Sequence, residues 1–423
     1  MHTIQTPQST HKQIQQATTE LPTEAGLEGS QARIACDPLV ASLPTKVHRG
    51  LDFLKVSFWI DFSSSRLFEI LEFMKRQLQD SEFDQAACFA EYGLKWNLHR
   101  TGTKMFKFRL SMGDVTLMLN KRKADGVIPT ARLEIGSLSS QTNFYSIYED
   151  VLKWLEYYEG TVVTEKVSEV HLAADFIGVD IRTLGIQDED KWIHRSTNFL
   201  QRNYYRKLNS VTIGHGNFML RIYDKVLELK RSDHKQEVFA ELWSQNKFDQ
   251  APVTRVEYQI RRPVMREFAT KKDGFRIVTV KDLMLSLSGL WKYCTTDWSK
   301  FMSTVVDRKN KHQSRADYSE FWKIVRAVVW TGVHEINRQT PTKHKNIDAL
   351  RKQARGIFMS IMAFFVEEPD NIDKIVSLSQ DLLEEDLHQF FENESKFIKR
   401  MKVRRAEALI TEGSAEEALL KAA

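Results

Sequence analysis

The sequence predicts an α+β protein in which an antiparallel-sheet domain is followed by an all-helical C-terminal domain. Three observations carry this. From residue 51 to 262, short runs rich in β-branched and aromatic residues recur, separated by a few segments of helical period. From about residue 280 the apolar residues recur only at helical spacing. Residues 1–47 are rich in Gln, Thr, Ser and Pro and hold too few apolar side chains to offset the entropy of ordering. The expected organisation is a disordered arm over 1–47, an α+β domain over 48–284, a helical domain over 285–410 and a frayed tail over 411–423.

LDFLKVSFWIDF, from Leu51 to Phe62, is the first expected strand. Three serines then precede apolar residues at Leu67, Ile70, Leu71, Met74 and Leu78, the spacing of a capped amphipathic helix. KMFKFRLSMG and DVTLMLNKRK read as two strands about a tight link, and TARLEIGSL at 130–138 as a third. YSIYEDVLKWLEYYEG at 145–160 reads as a helix closed by glycine, and VSEVHLAADFIGVDI returns to strand. FMLRIYDK follows a mixed segment containing NYYRKLNS; KVLELKRSDHKQEVFAELWSQ reads as helix, and TRVEYQIRR at 254–262 as the last clear strand. No internal repeat is visible.

The chain has 423 residues, a net charge of +5 and 42% hydrophobic residues, and no apolar run approaches the roughly 18 residues of a membrane span. A soluble, cytoplasmic protein without a membrane partner is expected. Cys36, Cys88 and Cys294 lie far apart and match neither a disulfide framework nor a zinc spacing. A GxxxxGK[ST] phosphate loop, HExxH, GxSxG and paired CxxC are all lacking, which removes the corresponding hydrolase classes.

What remains is a set of polar strand faces. Alternation puts His171 and Asp175 on one face with Ala173 between them, and Arg255, Glu257, Gln259 and Arg261 on another. Arg132 and Glu134 share a face, as do Arg221 and Tyr223 with Lys225 just beyond. If these strands are neighbours, one surface carries an imidazole, carboxylates, a phenol and cations, and carboxylates with imidazole suit Mg²⁺ or Mn²⁺. Residue by residue, ordinary cross-strand ion pairs explain the same pattern; the joint occurrence is the signal. Two basic stretches suit nucleic acid. KFIKRMKVRR at 396–405 includes Lys399, Arg400, Lys402, Arg404 and Arg405 and has no acid. QRNYYRK at 201–207 sets Tyr204 and Tyr205 among cations, a composition suited to stacking on unpaired bases.

Taken in order, LDFLKVSFWIDF, ARLEIGS, VSEVHLAADF, GHGNFMLRIYDK and TRVEYQIRR resemble the replication initiation factor family, the rolling-circle initiators of small plasmids and filamentous phages. The resemblance spans about residues 50–265. It implies a nickase/relaxase-like catalytic domain, a divalent metal at the scissile phosphate, a tyrosine that attacks it, a 5′-phosphotyrosine link and a free 3′-OH that primes synthesis. It also implies double-stranded origin DNA and single-stranded nick-site DNA as substrates, a host helicase and DNA polymerase as partners, and a homodimer. By position the family's acidic strand falls on His171 and Asp175, with His where the family has its first acid. The family's Arg-hydrophobe-Glu falls on Arg255 and Glu257, and its Tyr-Asp-Lys on Tyr223, Asp224 and Lys225. Tyr223 is thereby the expected nucleophile, with Lys225 as its charge partner and Tyr204 and Tyr205 as rivals. The expected metal set is His171, Asp175 and Glu257; Arg221, Arg255 and Arg261 join the 399–405 cations as expected DNA contacts. A conjugative relaxase uses the same chemistry, and a non-catalytic origin-binding protein would need neither metal nor tyrosine.

Overall fold

A computed structural model describes residues 43–80, 86–124, 128–270, 274–306, 317–339 and parts of 351–384. In chain order the first half comprises β1 (Lys46–Phe62), α1 (Arg66–Asp80), β2 (Ala86–Glu91), β3 (Leu94–His99), β4 (Phe108–Met112), β5 (Val115–Leu119), β6 (Ala131–Ile135), α2 (Ser137–Tyr157) and β7 (Gly160–Ile177). There follow β8 (Trp192–His194), β9 (Phe199–Tyr204), β10 (Lys207–His215), β11 (Phe218–Asp224), α3 (Lys225–Leu229), α4 (Asp233–Leu242), β12 (Val253–Arg261) and α5 (Arg262–Met265). The last described elements of this unit are β13 (Phe268–Thr270), α6 (Val280–Tyr293), β14 (Ser299–Phe301), α7 (Glu320–Ala327) and β15 (Ile336–Arg338).

Eleven strands form one sheet in the order β2-β3-β4-β5-β6-β1-β7-β12-β11-β10-β9, and every recorded pairing is antiparallel. The long β1 and β7 occupy its middle. Helices α1 and α2 cover the half formed by β1 to β6: Phe68 of α1 packs on Phe108, Tyr148 of α2 on Phe58, and Trp154 of α2 on Trp96. On the other half, the buried side chains Leu172, Phe176, Tyr258, Ile260, Phe218 and Leu220 present an apolar face. That face is covered by chain beyond residue 280: Trp291 of α6 meets Tyr258 edge-on at 5.5 Å, Trp298 stacks on Phe218 at 4.3 Å, and Phe321 of α7 meets Phe176 at 5.2 Å.

This packing locates the domain limit. The first compact unit runs through Arg338, past the boundary near 285 expected from sequence, because α6 and α7 are the second layer of the sheet rather than the start of a separate domain. The second unit begins at Gln339, and its described residues between 351 and 384 are helical. Residues 1–42 of the arm expected over 1–47, the tail expected over 411–423 and the basic cluster Lys399, Arg400, Lys402, Arg404 and Arg405 lie outside the described residues, while Lys46 and Val47, expected in the arm, already belong to β1. Local departures are small. Strands β2 and β3 were not expected, the segment around NYYRKLNS is the β9–β10 hairpin, and the expected helix after Tyr223 is two short ones, α3 and α4. Among the described residues no helix is long and apolar enough to cross a membrane.

Candidate metal centre beside a half-buried tyrosine

The polar face of β7, β12 and β11 is organised by their registers. Arg255 on β12 lies between Asp175 on β7 and Tyr223 on β11, and Glu257 lies between Ala173 and Arg221. The single methyl of Ala173 leaves room beside the Glu257 carboxylate, so a polar group can be held there without a large neighbour.

The third contributor comes from β1. Its ladder with β7 pairs Leu51 with Leu172 and Phe53 with His171, so Asp52 is an extra residue, a β-bulge. The bulge lets Asp52 join His171 and Glu257, and ligand atoms of these three all lie within 4.8 Å of one another. They line an open cavity of about 530 Å³ with Arg202, Arg221, Tyr223, Lys225 and others.

The charge state of Glu257 is set by its neighbours. Glu257 is 2% exposed, and its Oε1 accepts no hydrogen bond, although His171 Nδ1 stands 3.0 Å away and Arg221 Nη2 3.5 Å away. Burial alone would raise its pKa, but His171 and Arg221 outweigh burial and hold it well below the usual carboxylate range. Glu257 is therefore an ionised, incompletely satisfied acceptor at neutral pH. Burial pushes His171 down, and the neighbouring carboxylates of Glu169 and Glu257 more than reverse this, so its pKa is raised. His171 Nε2 lies 3.1 Å from Glu169 Oε1, which leaves Nδ1 facing Glu257. A carboxylate on the far ring nitrogen is the arrangement that orients ligating histidines. Glu169 itself is fixed by Arg261 and Lys55, and although burial opposes it, its pKa is held down at about 2. Two carboxylates and one imidazole, with open space for water or phosphate oxygens, fit a hard divalent ion.

Tyr223 adjoins this cluster. Its hydroxyl donates to Glu257 Oε2 at 2.9 Å, and burial followed by the Glu257 charge raises its pKa well above the ordinary phenol value. The strand stops directly after it because Asp224 caps α3, its Oδ1 accepting from Leu227 N at 2.9 Å. Lys225, first in that helix, turns inward. It is 2% exposed, sits 4.7 Å over the Phe239 ring and pairs with Glu228 at 2.5 Å; burial lowers its pKa.

The other expected site residues are placed differently. Asp175 does not join the cluster: it is 1% exposed, accepts from Arg255 Nε and Nη2 at 2.5 and 2.7 Å, and takes a further bond from Trp243 Nε1 at 2.9 Å. Arg255, expected at DNA, is wholly buried between Asp175 and Asp52 and has no solvent-facing donor to offer. Arg261 is partly exposed and engaged with Glu169. Glu134 pairs with Lys55 at 3.0 Å, one strand away from the cluster, and Arg132 lies over the Phe106 ring. Tyr204 and Tyr205 are exposed at the tip of the β9–β10 hairpin and are not among the residues lining the cavity. Asp52 was missed because an acid near the start of a strand reads as its solvated end. The available signal was a carboxylate in an otherwise apolar run, LDFLKV.

The sequence matches no family model, and it matches no curated protein. Among solved structures, the rolling circle replication initiator protein from Geobacillus stearothermophilus is a weak structural neighbour. It aligns at a TM-score of 0.36 and 12% identity, over 70% of this chain and 100% of that one. At that score the likeness carries no weight for mechanism, which rests on the residues described above.

Proposed function

We propose that this chain is a metal-dependent DNA strand-nicking and rejoining enzyme of the rolling-circle initiator type, with Tyr223 as nucleophile. The observation that carries the reading is the Tyr223–Glu257 hydrogen bond: one carboxylate both receives the phenol and belongs to the Asp52–His171–Glu257 cluster. Around it the cavity lining includes Arg202, Arg221, Arg231 and Lys235, cations suited to a phosphate backbone.

Asp52, His171 and Glu257 would hold Mg²⁺ or Mn²⁺, and a bound ion would supply Lewis-acid stabilisation of phosphate charge and favour the phenolate. The residues do the positioning. Glu257 orients the Tyr223 oxygen, Arg221 faces the developing phosphate charge, and Glu169 keeps His171 turned toward the cluster. In the step itself, Tyr223 Oη forms a bond to phosphorus and the P–O3′ bond breaks. The phenolic proton leaves along the Glu257 hydrogen bond to water in the open cavity, and the departing 3′ oxygen takes a proton from water there. The products are a 5′-phosphotyrosine and a 3′-OH, and the reverse attack rejoins the strand. Double-stranded origin DNA as the docking partner, a host helicase and polymerase downstream, and a homodimeric assembly belong to the same proposal.

The test uses supercoiled plasmid carrying the replicon in which the gene resides, with Mg²⁺ or Mn²⁺. The expected result is metal-dependent open circles with protein covalently attached at a 5′ end, and no adduct with Tyr223→Phe. An adduct that survives Tyr223→Phe overturns the choice of nucleophile. Nicking that survives chelation overturns the metal. A folded, DNA-binding protein that never nicks under these conditions supports the non-catalytic origin-binding reading instead.

A further inference from the structure

The cross-strand row through the nucleophile continues to the edge of the sheet. Arg255 pairs with Tyr223, Tyr223 with Ser210, and Ser210 with Arg202 on the edge strand β9. Arg202 lines the same cavity as the metal cluster and has no ion-pair partner among the described residues. Alternation then puts Leu200 and Tyr204 on the face that carries Arg202. Both are large and solvent-exposed, at 48% and 42%, and Tyr205 at the tip is 82% exposed. A polar, basic cavity thus opens onto a strand face bearing an aliphatic, a guanidinium and a phenol.

The hairpin tip is built to display side chains. Tyr204 pairs with Lys207, leaving Tyr205 and Arg206 as a two-residue turn with φ of +47° and +64°. Glycine and asparagine adopt this geometry readily, and bulky side chains rarely do. Tyr and Arg occupy it here, and the Tyr205 ring stands edge-on to Tyr204 at 4.5 Å rather than packing into a core. Residues 199–207 contain Arg202, Arg206 and Lys207 and no acid.

We propose that the β9–β10 hairpin is a single-stranded DNA platform that feeds the cavity, with unpaired bases stacking on Tyr204 and Tyr205 while Arg202, Arg206 and Lys207 neutralise the backbone. It deepens the nicking proposal by assigning the strand its path, and it gives the two tyrosines a stacking role that needs their rings and not their hydroxyls. An edge strand can also pair with a second copy of the chain, and the experiment separates that case.

The full-length protein is titrated with fluorescent dT15 and with a 15-base-pair duplex, in chelator so that no strand is cut. The Tyr204→Ala/Tyr205→Ala variant is expected to bind dT15 at least ~10-fold more weakly, on the scale of losing one or two stacked bases, with duplex affinity much less affected. Tyr205→Asn/Arg206→Gly, which suits the turn better, should show the same loss without a folding defect, and Tyr204→Phe/Tyr205→Phe should bind like the parent. Unchanged dT15 affinity in the alanine variant overturns the platform, as does equal loss in the phenylalanine variant. A change from dimer to monomer on sedimentation with dT15 affinity intact overturns it in favour of self-association. Its fate is separable from that of the nucleophile: if Tyr223→Phe still forms the adduct while the hairpin variants lose dT15, the platform stands and the Tyr223 assignment falls.

Discussion

Two aspartates on the same sheet face have opposite duties, and their partners tell them apart. Asp175 is matched on both oxygens by Arg255 and sealed from water, so removing it leaves a buried guanidinium with two unmatched donors and only its Nη1 bond to Asp52. Asp175→Ala should cost about 3–5 kcal/mol, the usual penalty for breaking one side of a buried pair, read as a lower urea midpoint. Asp52→Asn keeps an acceptor for Arg255, so the fold should hold while Mn²⁺ affinity, measured by calorimetry, falls by ~10-fold or more. If Asp175→Asn weakened Mn²⁺ binding more than Asp52→Asn did, the two assignments would have to be exchanged. The pair also sets an acid limit. Despite full burial, Arg255 and the neighbouring cations lower the Asp175 pKa below 3.8. The stabilisation is therefore present above pH 3.8 and lost as pH falls through the lower folded value. The difference in urea midpoint between parent and Asp175→Asn should accordingly be full at pH 7 and shrink below pH 3.8.

At the scale of elements, irregularities coincide with the proposed functional places. The β1 bulge inserts Asp52 between Leu51 and Phe53 and aims a carboxylate that a regular ladder would have directed elsewhere. The β9–β10 turn holds two non-glycine residues at positive φ, which costs about 1–2 kcal/mol per residue. Arg206→Gly should relieve part of that cost, and a gain of about 1 kcal/mol in chemical denaturation is expected. No gain, or a loss, would mean that the Arg206 side chain itself supports the turn. Both features were hard to read in the sequence for the same reason: a bulge and a left-handed turn without glycine leave no compositional mark. The Tyr223–Lys225 junction was more legible. KVLELKRSDHKQEVFAELWSQ reads as helix, and α3 and α4 do follow, the first capped by Asp224.

For the whole molecule, the layer beyond residue 280 decides what can be cut. Leu283, Leu287, Leu290, Trp291, Phe321 and Trp322 are buried with the sheet. A fragment of residues 43–338 should melt cooperatively, whereas one ending at 285 exposes the apolar face of β7, β12 and β11 and should aggregate or lack a cooperative transition. Circular dichroism melts and light scattering on the two fragments check this, and a well-folded 43–285 fragment would show that the sheet does not need its second layer. A related constraint sits at Gly289 of α6, where an added Cβ would lie 2.4 Å from the His334 carbonyl oxygen. That close approach ties α6 to the segment leading into β15.

Local period and alternation were enough to recognise an α+β chain, to place most of its strands, and to put His171, Glu257, Tyr223 and Arg221 on polar strand faces. Those properties follow from the two-residue repeat of a strand, which any stretch of sequence carries within itself. The identity of the third member of the Asp52–His171–Glu257 cluster, the burial of Arg255, the distance of Tyr204 and Tyr205 from the cluster and the limit of the first unit all depended on register and layer packing. Register is a relation between segments far apart in the chain: Asp52 meets Glu257 across 204 intervening positions only because β1, β7 and β12 lie side by side. Asp175 was the nearer candidate in sequence, and it lost the role because that same register set it opposite Arg255.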